Sequence, residues 1–467
     1  MYYIYIYMNY YTINEPDKLF DFIKQELKPK IKERKENGEV FTPLLLVNEI
    51  LDKLPNDIWS NKNIKLLDPA VGIGNFQIIV YQRLMKGLIK TIPDEENRRK
   101  HILEQMIYSA ELIPKNVFIY KKIFCGEKYK LNIYEGDTLK MDIMKEFGVD
   151  KFDVILGNPP YNKGGIWSYT KKTDSEKREV LWIEFIKKSF EWLKPDGFLV
   201  FITPLYWLKL NIEIHNEMLE KHIVWLKLWD NSQSKRMINA SIPISLFVLQ
   251  NTLNIQNKKT EITSILKRRN LTTTSTEYLN PKYSVPLAFH NIFDKLIQFI
   301  EKHNCNLEYK TKTIKSSGIK AEIPIGYTLE DMWAIDTYTL KKGILVKKAT
   351  QQHEDANKRK LIIANKCSFK GAFIDEGKLS LTGNHKFYIL GDNLEIIKKI
   401  LSFKIIDIIG QYTKYGQDFL DNVAFKYLPD IRKLGIADIT EDKCNVETST
   451  YRLYTKQTTT GRNECEV

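Results

Sequence analysis

The chain has 467 residues, of which 43% are hydrophobic and 12% aromatic, so it is long enough for two or three folded domains and is not a disordered chain. Its net charge of +13 favours a polyanionic partner, nucleic acid before membrane, because no basic amphipathic helix stands out, and no segment has the length and charge-free character of a membrane helix. Five scattered cysteines without a C-x-x-C pair argue against a disulfide framework and a zinc site, and favour a reducing, cytoplasmic compartment.

The predicted elements alternate between strand and helix over the first half of the chain. Residues 1–12 predict an edge strand or a ragged terminus, and residues 15–37 a polar helix. The predicted strands lie within the stretches 64–76, 106–113, 131–137, 152–158 and 197–204, and the helices between them include a strongly amphipathic one at 179–193. This alternation is typical of an α/β protein with a doubly wound sheet.

After residue 251 the sequence changes in character. Residues 252–284 are polar, rich in Thr and Asn and without periodicity, which predicts a linker. From residue 251 onward there are 34 Lys and Arg against 25 Asp and Glu, or +9 of the net +13. We therefore expect a second, basic domain over 285–440 and a loosely ordered tail over 441–467.

Acidic residues follow three successive predicted strands. Asp68 precedes a loop with two glycines, Gly72 and Gly74. This loop lacks the third glycine of a dinucleotide-binding site. Such a loop fits a ligand with an amino-acid moiety. Asp68 would accept a hydrogen bond from the ammonium group of that ligand. Glu111 and Asp137 end the next two strands. Carboxyl ends of parallel strands share one edge of a sheet, so the three acids are expected to face one crevice.

The stretch "GNPPYN" ends the fourth predicted strand. Two prolines cannot continue a central strand, because neither donates to the ladder. They leave a stiff turn lined by carbonyl acceptors, to which Asn158 adds a side-chain oxygen and Tyr161 an aromatic face. The side chain of Asn158 and the carbonyl of Pro159 would suit an amino group on a planar ring.

Together these motifs resemble the adenine-specific DNA N6-methyltransferases of the gamma class, over roughly residues 36–250. "GEVFTP" (38–43) resembles their N-terminal cofactor motif, "DPAVGIGNF" their glycine loop and "GNPPYN" their catalytic loop, in that order. The resemblance implies a Rossmann-like doubly wound sheet of the S-adenosylmethionine-dependent methyltransferase type at 36–251, after a helical extension at 1–35. It also implies a C-terminal α+β DNA target-recognition domain at 285–440.

The resemblance further implies a reaction and its residues. A methyl group would pass from S-adenosylmethionine to N6 of an adenine flipped out of double-stranded DNA. The residues implied are Phe41 and Thr42 at the methionine part of the cofactor, Phe76 closing the loop over it, Glu111 at the ribose, Asp137 at the adenine, and Asn158, Pro159 and Tyr161 in catalysis. Glu111 lies 43 residues after Asp68, against about 20 in a dinucleotide fold, which an inserted helix at 91–105 would explain.

Two sets of contacts to DNA are also expected. A second aromatic residue should sandwich the flipped base, and the candidates are Tyr206, Trp207, Trp229 and Phe247. Phosphate contacts are expected in the basic second half, from Lys341, Lys342, Lys347, Lys348 and the run Lys358-Arg359-Lys360.

Other functions stay open at this point. A methyltransferase acting on protein glutamine or on an RNA base would use the same Asn-Pro-Pro-Tyr chemistry. A non-catalytic DNA-binding subunit conflicts with the intact Asn158–Tyr161 loop. A fused restriction nuclease has little room in the roughly 35 residues before the first motif. A separate restriction endonuclease partner stays open.

Overall fold

The computed structural model describes residues 12–13, 15, 18–19, 42–163, 180–253, 258–311, 333–339, 343–348, 354–364, 368–381, 386–416, 420–436, 438–441, 452–456 and 462–466. The terminal strand predicted at 1–12 and the helix predicted at 15–37 lie almost wholly outside these residues. The chain divides into two compact units, 1–283 and 284–467. Within the described ranges no helix is long and apolar enough to cross a bilayer.

A nine-stranded sheet forms the centre of the first unit. Its strands are β1 Leu66–Asp68, β2 Ile107–Glu111, β3 Asn132–Glu135, β4 Phe152–Gly157, β5 Leu193–Pro204, β6 Lys221–Trp229, β7 Ile244–Leu253, β8 Thr260–Leu266 and β9 Leu271–Glu277, in the order β3-β2-β1-β4-β5-β7-β6-β8-β9. The first five are parallel, and β7 is antiparallel to both β5 and β6. The predicted doubly wound α/β fold is confirmed.

Helices connect these strands. They are α1 Leu44–Leu51, α2 Asn75–Gly87, α3 Glu95–His101, α4 Pro114–Ile123, α5 Ile143–Phe147, α6 Leu181–Trp192, α7 His215–Leu219 and α8 Asn231–Ile238. The helix α3 accounts for the long gap before Glu111: Asp94 caps it by accepting from Asn97 N at 2.8 Å, and its acidic first turn and basic last turn suit the helix dipole.

The sheet is buried on both faces at β1, β2 and β4, whereas the edge strand β3 is half-buried to exposed. Successive residues of a strand point to opposite faces, and both sets are apolar: Leu66 and Val154 belong to the core that includes α1 and α2, while their neighbours Leu67 and Ile155 are equally buried. Strands covered on both sides read as continuous apolar runs, which is why the sequence predicts them well.

The predicted linker at 252–284 is instead partly sheet. Residues 260–277 form a hairpin of β8 and β9, in which β8 pairs in parallel with β6 and β9 is the edge strand. In β8 every second side chain is buried, whereas β9 alternates between exposed and half-buried residues, most of them threonine. Threonine is polar, so the composition of this stretch resembles that of a linker. Threonine also favours β-strands, which is consistent with the observed hairpin.

The second unit combines helices with small sheets. Its helices are α9 His290–His303, α10 Leu394–Leu401 and α11 Lys404–Tyr412. Its strands are β10 Trp333–Thr339, β11 Gly343–Lys348, β12 Arg359–Ala364, β13 Phe373–Glu376, β14 Leu379–Leu381, β15 Lys386–Leu390, β16 Asp438–Glu441, β17 Arg452–Lys456 and β18 Arg462–Glu466. They form three-stranded sheets in the orders β11-β10-β14, β13-β12-β15 and β16-β17-β18, the last of which includes residues of the predicted tail.

Candidate active site

The site lies at the carboxyl edge of the parallel strands, where the strand order reverses between β1 and β4. In open α/β sheets this crevice is where ligands bind. β1 ends at Asp68, β2 at Glu111 and β4 at Gly157, so three of the predicted motifs meet at this edge.

The glycine loop depends on both of its glycines. Gly72 has φ +57° and Gly74 has φ +101°, the left-handed region that favours glycine. A Cβ on Gly74 would also lie 2.7 Å from Phe124 Cε2, whereas one on Gly72 would meet nothing within 4 Å. The backbone at Gly72 therefore borders open space, as a loop that approaches a ligand should.

Glu111 stabilises the glycine loop through hydrogen bonds. Its Oε2 accepts from Gly72 N at 2.8 Å, and its Oε1 accepts from Ile113 N at 2.9 Å. The side chain is buried, and Gly136 N donates to the carbonyl of Glu111 at 3.0 Å. Glu111 thus ties the ends of β1, β2 and β3 together, which is compatible with the predicted contact to a ribose because a carboxylate oxygen accepts more than one hydrogen bond.

Asp68 is a buried carboxyl group. It is 1% exposed, and its Oδ1 accepts from Ala70 N at 3.1 Å. Burial raises the pKa of Asp68 to about 8; the charge of Glu111 adds to this effect, and the Ala70 hydrogen bond opposes it. Asp68 is therefore largely protonated at neutral pH. A cationic ligand group would supply the missing countercharge.

Gly157 brings the predicted catalytic loop close to Asp68. It has φ +150°, and a Cβ at this position would lie 2.6 Å from Asp68 Oδ1. No side chain fits between β4 and the carboxyl group. The glycine that ends β4 is thus required both by its backbone conformation and by this close approach.

Asn158 is held from both sides. Its Nδ2 donates to Thr42 Oγ1 at 3.2 Å, and its Oδ1 accepts from the hydroxyl of Tyr161 at 3.0 Å. Burial raises the pKa of Tyr161, so its hydroxyl stays protonated and donates to Asn158. One lone pair of Oδ1 remains for an incoming amino group. Pro159, whose carbonyl is the second predicted acceptor, is buried.

Thr42 joins the predicted catalytic loop to the glycine loop. Its hydroxyl accepts from Asn158, and its carbonyl accepts from Asn75 Nδ2 at 2.9 Å. The sequence predicts Thr42 at the methionine part of a cofactor and does not single out Asn75. Asn75 is buried, and its Oδ1 accepts no hydrogen bond from the described residues. Its place directly after Gly74 is the only signal in the sequence.

The other predicted cofactor residues differ in position. Asp137 caps a short turn at 138–140, accepting from Leu139 N at 3.2 Å, and forms an ion pair with Lys140 at 3.1 Å. Phe76 is 3% exposed and belongs to the core that α1 and α2 share. Phe41 lies outside the described residues. A structural role therefore explains each of these two residues: Asp137 caps a turn, and Phe76 packs in the core.

Of the four aromatic candidates for stacking, three are core residues. Trp207, Trp229 and Phe247 are at most 1% exposed, and Trp207 Nε1 donates to Ser245 Oγ at 2.8 Å. Tyr206 alone is half-buried, in the turn that follows β5 at the carboxyl edge. Without rearrangement of the core, Tyr206 is the one of these four candidates that could present a ring face to a ligand.

The basic run in the second unit is neutralised within the protein. Lys360 is completely buried and forms an ion pair with Asp375 at 2.6 Å, so the prediction that it contacts phosphate is wrong. Lys358 pairs with the buried Asp355 at 2.8 Å, and Arg359 pairs with two glutamates, Glu376 and Glu395. Lys341 and Lys342 lie outside the described residues, and Lys347 and Lys348 lie in β11.

Comparisons with known proteins show which proteins the chain resembles. Residues 88–235 match the family model of the Eco57I restriction-modification methylase. An uncharacterized adenine-specific methylase of Mycoplasma pneumoniae is 27% identical, over 42% of this chain and 62% of that protein. A tRNA1(Val) (adenine(37)-N6)-methyltransferase of Glaesserella parasuis is 31% identical, over 30% of this chain and 51% of that protein. The chain thus spans only part of the length of these relatives.

A solved structure shares the fold over most of the chain. The type IIL restriction-modification enzyme MmeI, in complex with DNA, has a TM-score of 0.50 and 12% identity, covering 92% of this chain and 72% of that one. This likeness shows a shared fold. The predicted resemblance to adenine-specific methyltransferases of restriction-modification systems is confirmed by the family match and by the methylase of Mycoplasma pneumoniae.

Proposed function

We propose that this protein is a site-specific DNA methyltransferase that uses S-adenosylmethionine to methylate N6 of an adenine flipped out of duplex DNA. The observation that carries the proposal is the Asn158 carboxamide, held between Thr42 and Tyr161 beside a glycine loop and a buried acid. The second unit is the proposed target-recognition domain, and the proposed partners are duplex DNA and a separate restriction endonuclease.

The residues around the glycine loop fit the proposed cofactor. Among the described residues, no cation pairs with the buried carboxyl group of Asp68 and no donor bonds the buried Oδ1 of Asn75, while Gly72 borders open space. Asp68 would hold the cofactor's ammonium group and Glu111 its ribose hydroxyls. When bound, S-adenosylmethionine supplies a methyl group on an activated sulfonium leaving group.

The catalytic loop supports chemistry at an aromatic amino group. The nitrogen lone pair of such a group is delocalised into the ring and is a poor nucleophile. Two acceptors, Asn158 Oδ1 and the Pro159 carbonyl, would orient the two N–H bonds and draw electron density toward the nitrogen. Because the amide is already fixed by two hydrogen bonds, it needs no reorientation during the reaction.

Replacing Thr42 by valine tests whether this residue positions Asn158. The change removes the hydroxyl that accepts from Asn158 Nδ2 at nearly constant volume. Loss of one such hydrogen bond is worth about 1 kcal/mol, so we expect kcat to fall roughly five- to tenfold. The affinity for S-adenosylmethionine, measured by calorimetry, should change much less.

Thr42→Ser is the matched control, because it keeps the hydroxyl and should retain most of the rate. A Val variant whose cofactor affinity falls by the same factor as its rate would instead place Thr42 at the cofactor, as the sequence alone predicts. A Val variant as fast as the original would remove Thr42 from both roles.

The substrate class is tested directly with radiolabelled S-adenosylmethionine and, separately, duplex DNA, tRNA and a glutamine-containing protein substrate. We expect label on DNA, recovered as N6-methyladenine after nucleoside digestion. Label on cytosine N4 would keep the chemistry of the loop and change the base. Label on protein alone would overturn the DNA proposal.

Transfer to tRNA is the second candidate, because the relative from Glaesserella parasuis is named as a tRNA adenine methyltransferase. It is the less favoured one, since the family match and the MmeI likeness both involve restriction-modification enzymes. Label on tRNA without label on DNA would show that the protein is a tRNA methyltransferase.

A further inference from the structure

We propose that five basic residues of the first unit bind the phosphate backbone of the substrate duplex beside the catalytic loop. We name this set the edge patch: Lys235, Arg236, Lys267, Arg268 and Arg269. The inference rests on the proposed action on DNA and assigns a backbone-binding surface to the methyltransferase unit itself.

Strand directions bring the edge patch to the same edge as Asn158. β5 is parallel to β4, β7 is antiparallel to β5, and β6 is antiparallel to β7, so β6 points the same way as β4. β8 is parallel to β6. The helix α8, with Lys235 and Arg236, follows the end of β6, and the turn 267–269 follows the end of β8.

The distance from the catalytic loop suits a duplex. β6 and β8 are the third and fourth strands beyond β4 in the sheet order. At about 4.8 Å between strands, the edge patch lies roughly 14–19 Å along the sheet from the end of β4. With about 3.4 Å per base pair, that corresponds to phosphates about four to six base pairs from the target base.

The two segments of the edge patch are joined by one buried acid. Asp230 Oδ1 accepts from Gln233 N at 2.9 Å at the start of α8, and its Oδ2 accepts from Arg268 N at 2.8 Å. Arg268 Nε also donates to Ser232 Oγ at 3.3 Å. These contacts hold the turn against the helix, so the five cations form one surface.

Three of the five cations of the edge patch have no carboxylate partner among the residues that the structure describes. Asp230 is the only acidic residue in 229–243 and 263–272, and it is 6% exposed. Lys235, Arg236 and Lys267 are exposed and form no ion pair with the residues that the structure describes. The run at 358–360 differs, since each of its cations faces a carboxylate. Exposed cations with no countercharge are what phosphate contacts require.

The test is the salt dependence of DNA binding by a triple variant, Lys235→Gln, Arg236→Gln and Lys267→Gln. The dissociation constant for a duplex of random sequence is measured from about 50 to 200 mM salt, because each phosphate contact contributes about 0.9 to the slope of log K against log salt. We expect the slope to fall by about 2 to 3 in the triple variant, with affinity for S-adenosylmethionine unchanged.

The matched control removes the same charge at the opposite edge of the sheet. Lys86 lies in the last turn of α2, Lys90 follows it, and Lys100 precedes β2; all three are exposed. Their triple Gln variant should keep the original slope.

If the unsubstituted protein methylates DNA but the edge-patch variant keeps the same salt slope, the proposed role of the edge patch is wrong and the proposed function stands. An original protein that binds duplex DNA without salt dependence, or methylates only RNA or protein, would overturn the proposed function and the edge patch together.

Discussion

Asn158→Ala is expected to lower the rate of methyl transfer on the order of a hundredfold or more, as for loss of one preorganised polar group in an active site. The substitution removes the oxygen that faces the substrate amino group and also leaves the Tyr161 hydroxyl without its acceptor. Single-turnover assays with labelled S-adenosylmethionine would measure the loss. The affinity for S-adenosylmethionine should change much less, because Asp68 and Glu111 are untouched.

Asn162→Ala is the control for this prediction. Asn162 lies in the same loop, where it forms a backbone bridge with Val180, and alanine preserves that bridge. Its rate should stay close to the original. If Asn158→Ala retained most of the activity, the proposed acceptor role of this carboxamide would be wrong.

Asp68→Asn is expected to stabilise the protein without cofactor at pH 8 while weakening cofactor binding. The pKa of Asp68 is about 8 in the folded protein against 3.8 for the ordinary group. Between these values the folded state holds a proton that the unfolded state releases, so the free energy of unfolding falls as pH rises from about 4 to 8. The asparagine variant does not ionise and avoids this loss, which is on the order of a few kcal/mol.

Denaturant unfolding at pH 5 and pH 8 would measure the effect. Most of the loss in the original protein lies between these two pH values, so the advantage of the variant should be several times larger at pH 8. The affinity for S-adenosylmethionine should fall at least about tenfold, the usual value of a hydrogen bond to a charged group. A variant less stable than the original at both pH values, or one that binds the cofactor equally well, would contradict the role of Asp68.

Much of the methyltransferase fold can be predicted from the sequence because its central strands are buried on both faces. The runs 154–156 and 198–202 are apolar without interruption, and each is followed by turn residues. Asp68 and Glu111 are predicted to share an edge from strand order alone. The structure brings them together through the glycine loop.

Other features need three-dimensional information. Thr42 and Asn158 are 116 residues apart, and no local pattern connects them. The hairpin of β8 and β9 has the composition of a linker, because an edge strand can alternate threonine with polar residues. Lys360 lies in a basic run, yet the buried Asp375 pairs with it, and charge counts along a chain cannot detect such a pairing.

The contact between Gly157 and Asp68 limits how the sequence of this site can vary. A Cβ at position 157 would lie 2.6 Å from the Asp68 carboxyl oxygen, although 89 residues separate the two positions. While Asp68 is present, every other amino acid at position 157 must displace the Asp68 side chain or the end of β4. The backbone conformation at φ +150° adds strain for any residue other than glycine. Mutational tolerance at the two positions is therefore coupled: a larger residue at 157 becomes less costly only in a background where position 68 has already lost its carboxyl group.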